Sequence, residues 1–304
     1  MAKVFVTREV FGPGLARLQA AHDVDVWPGS LPPTAKQLRS AVADIEGLLC
    51  LLTDRIDSEL LDGAPRLRAI ANYAVGSDNI DLVATRGRGI AVGVTPDALT
   101  EATADLTFAL LLAAARRLPE AAGAIDAGDW QTWRPDGWLG SDVYGATLGI
   151  IGFGRIGRAV ARRAEGFDMT VIATPETALG DILERSDFVS LHCPLTPQTR
   201  HLIDAAALAR MRPTAILVNT ARGGVVDQPA LIEALRAGTI AAAALDVTDP
   251  EPPLTGDPLL EAPNLLLLPH IGSATRTARG RMTDLAVANL LAALNGQPMP
   301  HPAA

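Results

Sequence analysis

A glycine-bearing turn between an apolar run and a helical pattern constrains this chain more than any other stretch. Thr147–Ile151 is typical of a buried strand, Gly152–Gly157 has the pattern Gly-x-Gly-x-x-Gly, and Arg158–Gly166 continues with helical spacing. In such a turn the first glycine permits a tight bend, the second lets the backbone approach a pyrophosphate, and the third lets helix and strand pack closely. The N–H groups of the helix then point at the anion. Glycines also mark ordinary turns, but the flanking strand and helix favour a dinucleotide site.

Composition limits the partners that such a chain can have. Its 304 residues are typical of about two domains, and its 48% hydrophobic residues can form a substantial core. The formal net charge is −8 and there is no block of Lys and Arg, which argues against nucleic acid and anionic membranes as partners. Any anionic ligand must therefore be bound by local groups.

The cysteines and the N-terminus indicate the cellular compartment. Cys50 and Cys193 lie in apolar, strand-like runs, which predicts reduced core residues rather than a disulfide or a metal site. The sequence has no Cys-x-x-Cys, His-Glu-x-x-His or Gly-x-Ser-x-Gly motif, and no metal is predicted. It begins with a strand-like segment instead of a signal peptide, and no apolar run approaches the ~18–20 residues of a membrane span. These features predict a cytoplasmic protein.

Short apolar runs alternate with helical or loop segments, which predicts βαβ units and parallel sheets. The predicted strands of the first part are Val4–Thr7, Val24–Trp27, Gly47–Thr53, Leu67–Ala74 and Ile90–Val94. Those of the second part are Thr147–Ile151, Thr170–Ala173, Phe188–His192, Ala215–Asn219, Ala241–Val247 and Leu265–Leu268. Long helices are predicted at about Thr100–Arg117 and Thr275–Leu294, and we expect the second of them to return to the first domain.

Three polar residues each follow a predicted buried strand, at the sheet edge where ligands bind in open α/β sheets: Arg222, Glu251 and His270. Taken singly, each has an ordinary structural explanation, such as a salt bridge, a solvated loop or a hydrogen bond. Together they place an anion-binding group, a carboxylate and a titrating group on adjacent loops. This set is suited to the reduction of a 2-keto acid.

The chemistry of carbonyl reduction explains these residue types. A carbonyl that accepts hydride at carbon needs a proton at oxygen, and histidine is the side chain that titrates in the working pH range. A neighbouring carboxylate favours the imidazolium form. An arginine fork matches a substrate carboxylate and also polarises the adjacent carbonyl. The hydride itself belongs to a nicotinamide.

Five motifs resemble those of the D-isomer-specific 2-hydroxyacid dehydrogenases, in family order and near family spacing over nearly the whole chain. They span residues 152–157, 190–197, 218–227, 244–252 and 269–273. The resemblance implies that Arg222, Glu251 and His270 are the catalytic set. Five motifs in order are far more specific than one glycine turn.

The same resemblance implies a domain organisation. It predicts an α/β fold of two domains, in which a Rossmann-type doubly wound parallel sheet is inserted into a smaller flavodoxin-like substrate domain. The expected boundaries are residues 98–274 for the dinucleotide-binding domain, and residues 1–97 plus 275–304 for the substrate domain.

The resemblance also assigns binding residues. It implies that the backbone N–H groups of Val75 and Gly76 bind the substrate carboxylate, and that Arg222 and the loops around Thr53 and Trp138 contact the substrate. The implied cofactor contacts are Gly152, Phe153, Gly154, Arg155, Ile156, Gly157, Thr174, Cys193, Pro194, Thr199, Thr220, Ala221, Asp246 and Gly272.

Two stretches narrow the subfamily. The tryptophan-rich loop of residues 129–138 and the segment 249–253 are most similar to those of glyoxylate/hydroxypyruvate reductases. In some of these enzymes a tryptophan of this loop reaches the partner subunit's active site, and Trp138 is its match here. The resemblance thus implies an NAD(P)H-dependent reductase that forms a homodimer through its cofactor-binding domain. A dehydrogenase for a different or bulkier acid and a non-catalytic NAD(H)-sensing protein stay open as alternatives.

One stretch departs from the family pattern. NAD-dependent members have an Asp after the second strand of the cofactor domain, about 18–20 residues past the glycine turn, and NADP-dependent members usually have Ser, Thr or Arg there. This chain has Thr174-Pro175-Glu176, and roughly ten residues, the length of a loop and a short strand, are missing next to it. Glu176 would repel a 2′-phosphate, but the missing stretch leaves the choice between NAD and NADP open.

Overall fold

The computed structural model describes residues 1–303, which form two compact units. Unit 1 consists of residues 1–99 and 274–303, and unit 2 consists of Thr100–Ser273. Each unit is built on one parallel sheet. Among the described residues, no helix is both long and apolar enough to cross a lipid bilayer.

The sheet of unit 1 has five parallel strands. They are β1 (Lys3–Val6), β2 (Asp23–Val26), β3 (Gly47–Cys50), β4 (Ala69–Asn72) and β5 (Ala91–Gly93). Every residue of β3 and β4 is buried, as expected for parallel strands covered on both faces. The strand order β2-β1-β3-β4-β5 is that of flavodoxin-like sheets, in which ligands bind where the order reverses, between β1 and β3.

Helices from both ends of the chain cover this sheet. They are α1 (Gly14–Ala21), α2 (Ala35–Val42), α3 (Ser58–Asp62), α4 (Leu82–Gly87) and the C-terminal helix α11 (Arg276–Leu294). The hydroxyl of Thr275 caps α11 by accepting the N–H of Ala278 at 3.0 Å. Met282 and Val287 of α11 pack in one buried cluster with Val4 of β1, so the C-terminal helix completes the core of unit 1.

The sheet of unit 2 has six parallel strands. They are β6 (Thr147–Ile151), β7 (Thr170–Ala173), β8 (Phe188–Leu191), β9 (Ile216–Asn219), β10 (Ala242–Leu245) and β11 (Leu265–Leu267), in the order β11-β10-β9-β8-β6-β7. A doubly wound nucleotide-binding sheet usually has a further strand beyond the second one. Within residues 1–303 no strand lies outside β7, so the stretch missing after Glu176 corresponds to an absent edge strand. The predicted two-domain α/β fold with a Rossmann-type sheet is confirmed.

The helices of unit 2 enclose this sheet. They are α5 (Thr100–Ala115), α6 (Leu118–Asp126), α7 (Arg155–Ala164), α8 (Leu179–Arg185), α9 (Ala205–Arg210) and α10 (Gln228–Ala237). Leu110 and Leu111 of α5 are fully buried, and the ring of Phe108 stacks on Phe167 with centroids 5.5 Å apart. These contacts account for the apolar residues on the buried face of α5.

The observed elements differ from the predicted ones mainly at their ends. β3 ends at Cys50 instead of Thr53, because the carboxylate of Asp54 accepts the N–H of Leu51 at 2.7 Å and gives it a partner outside the ladder. α7 begins at Arg155, three residues earlier than predicted, so the third glycine of the turn lies inside the helix.

Candidate active site

The three glycines of the turn after β6 differ in their surroundings. Gly152 has φ +100°, and a Cβ there would lie 2.4 Å from the backbone nitrogen of Cys193. A Cβ on Gly157 would lie 2.4 Å from the carbonyl oxygen of Gly152. The first and third glycines are therefore required by backbone conformation and close packing.

Gly154 is different, because a Cβ there would meet no described atom within 4 Å. It is the N-cap of α7, and it offers no side chain to the N–H groups of the first helical turn. Open space in front of uncapped N–H groups at a helix N-terminus suits an anion such as a pyrophosphate. The turn therefore fits the dinucleotide that its sequence predicted, with Phe153, Arg155 and Ile156 completing the segment.

The loops beside this turn are held by short hydrogen bonds. The hydroxyl of Thr174 accepts the N–H of Gly152 at 2.9 Å, which ties the end of β7 to the turn. His192 follows β8, and its Nε2 lies 2.8 Å from the hydroxyl of Ser190. Its Nδ1 is inaccessible to solvent and has no hydrogen-bond partner among the described residues, and burial lowers the pKa of this histidine to about 3. Burial also raises the pKa of the neighbouring Cys193 thiol.

The other residues expected at the cofactor lie at the same edge of the sheet, after β8, β9 and β10. The hydroxyl of Thr199 donates to the carbonyl oxygen of Pro194 at 2.6 Å, which closes the loop after β8. The hydroxyl of Thr220, after β9, lies 3.0 Å from the hydroxyl of Thr107 in α5. Like the hydroxyl of Thr174, these groups are engaged within the protein, so the threonines contribute mainly shape to this edge.

Asp246 has a structural task that the sequence did not indicate. Its buried carboxylate accepts the N–H groups of Ile271 and Gly272, each at 2.7 Å, and its carbonyl oxygen accepts the N–H of His270 at 2.9 Å. Burial raises the pKa of Asp246, while the two backbone N–H groups oppose that shift. This residue fixes the loop that carries His270, which has the left-handed φ of +54°.

Arg222 projects from the loop after β9. The buried side chain of Asn219 shapes this loop: it accepts the N–H of Ala221 and donates to the carbonyl oxygen of Arg222, both at 2.9 Å. Gly223, the next residue, lies so close to Thr248 that a Cβ would come within 2.0 Å of its backbone. The loop of Arg222 and the loop that leads to Glu251 are therefore in direct contact.

Glu251 and His270 form a hydrogen-bonded pair. Nδ1 of His270 lies 2.5 Å from Oε1 of Glu251. The side chain of Glu251 is 31% exposed and that of His270 is 22% exposed. Among residues 1–303 the other ring nitrogen, Nε2, has no partner, so it is free to exchange a proton with a ligand. The paired carboxylate fixes the orientation of the ring.

The substrate residues expected in unit 1 follow β3 and β4. The N–H groups of Val75 and Gly76 have no acceptor in the described part of the chain, and Val75 is 37% exposed. Asn72 and Asn79 hold their loop. Nδ2 of Asn72 donates to the carbonyl oxygen of Gly76 at 2.8 Å, and Nδ2 of Asn79 donates to the backbone carbonyl oxygen of Asp54 in the preceding loop at 3.0 Å. Two adjacent free N–H groups suit a carboxylate.

Trp138 lies in the long segment between α6 and β6, which contains neither helix nor strand. It has a left-handed φ of +47° and is half-buried, whereas Trp130 and Trp133 are 57% and 79% exposed. The structure places Trp138 in unit 2 without a hydrogen bond from its indole to any described residue.

Sequence comparison identifies the class to which this fold and site belong. Residues 108–272 match the family model for the D-isomer specific 2-hydroxyacid dehydrogenase, NAD binding domain. The chain belongs to the D-isomer-specific 2-hydroxyacid dehydrogenases, as its motifs predicted. It is therefore an NAD(P)-dependent dehydrogenase.

Similar proteins point to one branch of this family. A glyoxylate reductase of Korarchaeum cryptofilum is 48% identical, with 98% of this chain and 95% of that protein covered. The crystal structure of a protein from Thermus thermophilus has a TM-score of 0.94 and 49% identity over 99% of this chain and 100% of that one. The NADPH-dependent glyoxylate/hydroxypyruvate reductase of Sinorhizobium meliloti, solved with NADP and malonate, has a TM-score of 0.87 and 33% identity, covering 100% of this chain and 97% of that one.

Proposed function

We propose that this dehydrogenase reduces glyoxylate or hydroxypyruvate with NAD(P)H, giving glycolate or D-glycerate. The observation that carries the proposal is the His270–Glu251 pair, which leaves Nε2 of the histidine free, while the loop of Arg222 contacts the loop that leads to Glu251. The names of the similar enzymes support the choice of these two small keto acids. We propose reduction as the direction of catalysis because the similar enzymes are named reductases.

Each catalytic residue has one task in this proposal. The nicotinamide of bound NAD(P)H supplies the hydride for the carbonyl carbon. His270 donates the proton from Nε2 to the carbonyl oxygen, and Glu251 stabilises the ring in its protonated form. Arg222 draws electron density from the carbonyl and binds the adjacent carboxylate with its planar fork.

The remaining residues hold the two ligands. The N–H groups of Val75 and Gly76 bind the substrate carboxylate, and Thr53 and Trp138 limit the size of the group attached to the keto carbon. The glycine turn binds the pyrophosphate, and the residues after β7 to β10, including Thr174, Thr220, Asp246 and Gly272, surround the nucleosides.

We further propose that the enzyme is a cytoplasmic homodimer formed through the cofactor-binding domain. Trp130, Trp133 and Tyr144 lie in one stretch of unit 2 and are 57%, 79% and 74% exposed. Exposed aromatic residues of this kind are enriched at protein interfaces. Two unpaired, buried cysteines are typical of a reducing compartment. Light scattering tests the assembly, and a monomer at micromolar concentration would contradict it.

Steady-state kinetics with a panel of 2-keto acids test the reaction. We expect turnover of glyoxylate and hydroxypyruvate to exceed that of branched or aromatic 2-keto acids, measured with NADH and with NADPH. A preference for a bulky acid would assign the enzyme to another branch of the family. Tight cofactor binding with no turnover of any acid would instead indicate an NAD(H)-sensing protein.

A further inference from the structure

Arg8 is a half-buried cation that the proposed reaction does not use. Its Nη2 donates to the hydroxyl of Thr53 at 3.0 Å, and its Nη1 reaches the carbonyl oxygen of Ser30 at 3.4 Å. Its Nε is inaccessible and unpartnered, and no carboxylate of residues 1–303 lies within ion-pair distance of it. Removing a guanidinium from water without a counter-charge is costly, and an external anion that reaches the N–H groups of Nη1 and Nη2 left over by these two hydrogen bonds would offset that cost.

The position of Arg8 in the sheet supports a binding role. It follows β1, and Thr53 follows β3, so their hydrogen bond spans the two strands between which the order β2-β1-β3-β4-β5 reverses. In open α/β sheets, ligands bind outside the carboxyl ends of the strands at this reversal. The guanidinium therefore lies at the carboxyl edge of the sheet, where open α/β folds bind ligands.

A cavity of about 550 Å³ lies beside Arg8, formed entirely by unit 1. This volume is within the usual range of small-molecule sites, about 300–1,000 Å³. Leu15, Val26, Trp27 and Pro28 give the cavity an apolar wall, and Arg8 contributes the positive charge. Gln19 and Ser30 add polar groups, so an occupant with an apolar body against the apolar wall and an anionic end at Arg8 would match this lining.

The charges around the cavity favour a single negative charge on that occupant. Glu9 also lines the cavity, so its carboxylate would oppose a dianion more strongly than a monoanion. The nearby carboxylate of Asp54 is already bound by the hydroxyl of Thr7 at 2.5 Å and the N–H of Leu51 at 2.7 Å. A carboxylate also matches the planar guanidinium better than a point charge would.

We propose that this cavity binds a small monocarboxylate with an apolar body, anchored by Arg8. The site goes beyond the proposed reduction, in which Arg8 takes no part. Because Arg8 also holds the hydroxyl of Thr53, an occupant would restrain the loop after β3.

Isothermal titration of the full chain without cofactor tests this proposal, with isovalerate, acetate and inorganic phosphate as probes. We expect isovalerate to bind more tightly than acetate, and phosphate more weakly than both. Arg8→Met should weaken isovalerate binding at least tenfold. The matched control is Arg17→Met, which removes the same charge from an exposed pair with Asp284 and should change binding less than twofold.

Further variants separate this site from the reductase site. Arg222→Ala should lower kcat/KM for glyoxylate by about 10²- to 10³-fold and leave isovalerate binding unchanged. Arg8→Lys keeps the charge without the fork and should weaken binding at least threefold, which covers the case that Arg8→Met does not fold. Any one of four results would overturn the proposal. They are no saturable binding of isovalerate by the wild type, equal binding by the wild type and the Arg8 variants, tighter binding of phosphate than of isovalerate, and loss of isovalerate binding in Arg222→Ala.

Discussion

Nδ1 of His270 lies 2.5 Å from Oε1 of Glu251, although the two residues are 19 positions apart and belong to loops after different strands. Adjacent strands β10 and β11 bring these loops together at one edge of the sheet. The pair is accessible yet held in place, because the carboxylate of Asp246 accepts the N–H groups of Ile271 and Gly272 in the loop that carries His270. A fixed ring with one free nitrogen is what proton donation to a carbonyl requires.

Replacing either member of this pair should impair reduction to different extents. His270→Gln removes the proton donor, and we expect kcat to fall by about 10²- to 10⁴-fold. Glu251→Gln keeps the ring but removes the carboxylate, so a smaller loss is expected. Stopped-flow and fluorescence titrations should show NADH binding within twofold of the wild type. A His270→Gln enzyme with near-normal kcat would contradict the role assigned to this residue.

Arg222→Ala should lower kcat/KM for glyoxylate by about 10²- to 10³-fold, because a charged donor to the substrate is lost. Arg222→Lys should recover only part of this, since lysine lacks the planar fork. The control is Arg236→Ala, which removes an exposed arginine paired with Glu233 on α10 and should leave kinetics unchanged. Steady-state assays decide the matter, and near-normal kcat/KM in Arg222→Ala would show that the role is wrong.

Alanine substitutions in the glycine turn should separate folding from cofactor binding. Gly154→Ala places a methyl group in open space, so the midpoint of unfolding should be unchanged while the affinity for NADH falls at least tenfold. Gly157→Ala brings a Cβ to 2.4 Å from the carbonyl oxygen of Gly152 and should also destabilise the protein by about 1–3 kcal/mol.

Gly166→Ala is the control for this series, because a Cβ there meets no described atom within 4 Å and the residue lies outside the turn. It should change neither stability nor cofactor affinity. Fluorescence titration and denaturant unfolding measure both quantities for all three variants. Unchanged affinity in Gly154→Ala would show that the dinucleotide does not approach this glycine.

His192 should make stability depend on pH. Burial lowers its pKa in the folded protein to about 3, from an ordinary value of 6.5. The unfolded chain therefore takes up a proton between about pH 6.5 and pH 3 that the folded protein does not, so stability falls as the pH falls through this window. Between pH 7 and pH 5 the wild type should lose up to about 2 kcal/mol more than His192→Asn.

Urea unfolding of the wild type and His192→Asn at the two pH values measures this difference. Ser190→Ala is a useful companion, because it removes the hydroxyl next to Nε2 without removing the titrating ring and should retain the pH dependence. If stability changed with pH equally in the wild type and in His192→Asn, the ring would take up its proton as readily in the folded protein as in the unfolded chain, which would contradict this prediction.

The sequence predicted those parts of the fold and site that depend on local pattern. All eleven strands were predicted, most of them from apolar runs, because a buried parallel strand shows little polar alternation. β2 is the exception, since this edge strand alternates Asp and Val. The glycine turn and the loop positions of Arg222, Glu251 and His270 followed from the same strands. The absent edge strand was also visible, as roughly ten residues missing after Glu176.

Contacts between distant residues could not be predicted in this way. Asn219, Asn72 and Asn79 each bond loop backbone, and nothing in their immediate neighbours indicates this task. The same holds for Arg8. Its role depends on a hydrogen bond to Thr53, 45 positions away, and on the strand order that brings β1 beside β3. Such residues become interpretable only when the topology is known.

β7 has a neighbouring strand on one side only. Its other side therefore presents a row of backbone N–H and C=O groups that no strand of the described chain pairs with. Its four residues are short for a docking edge, which limits unwanted pairing with other chains. The exposed link at Pro175 and Glu176 is accordingly a position where an added hairpin or a fused β-segment could extend the sheet while the existing strands keep their order.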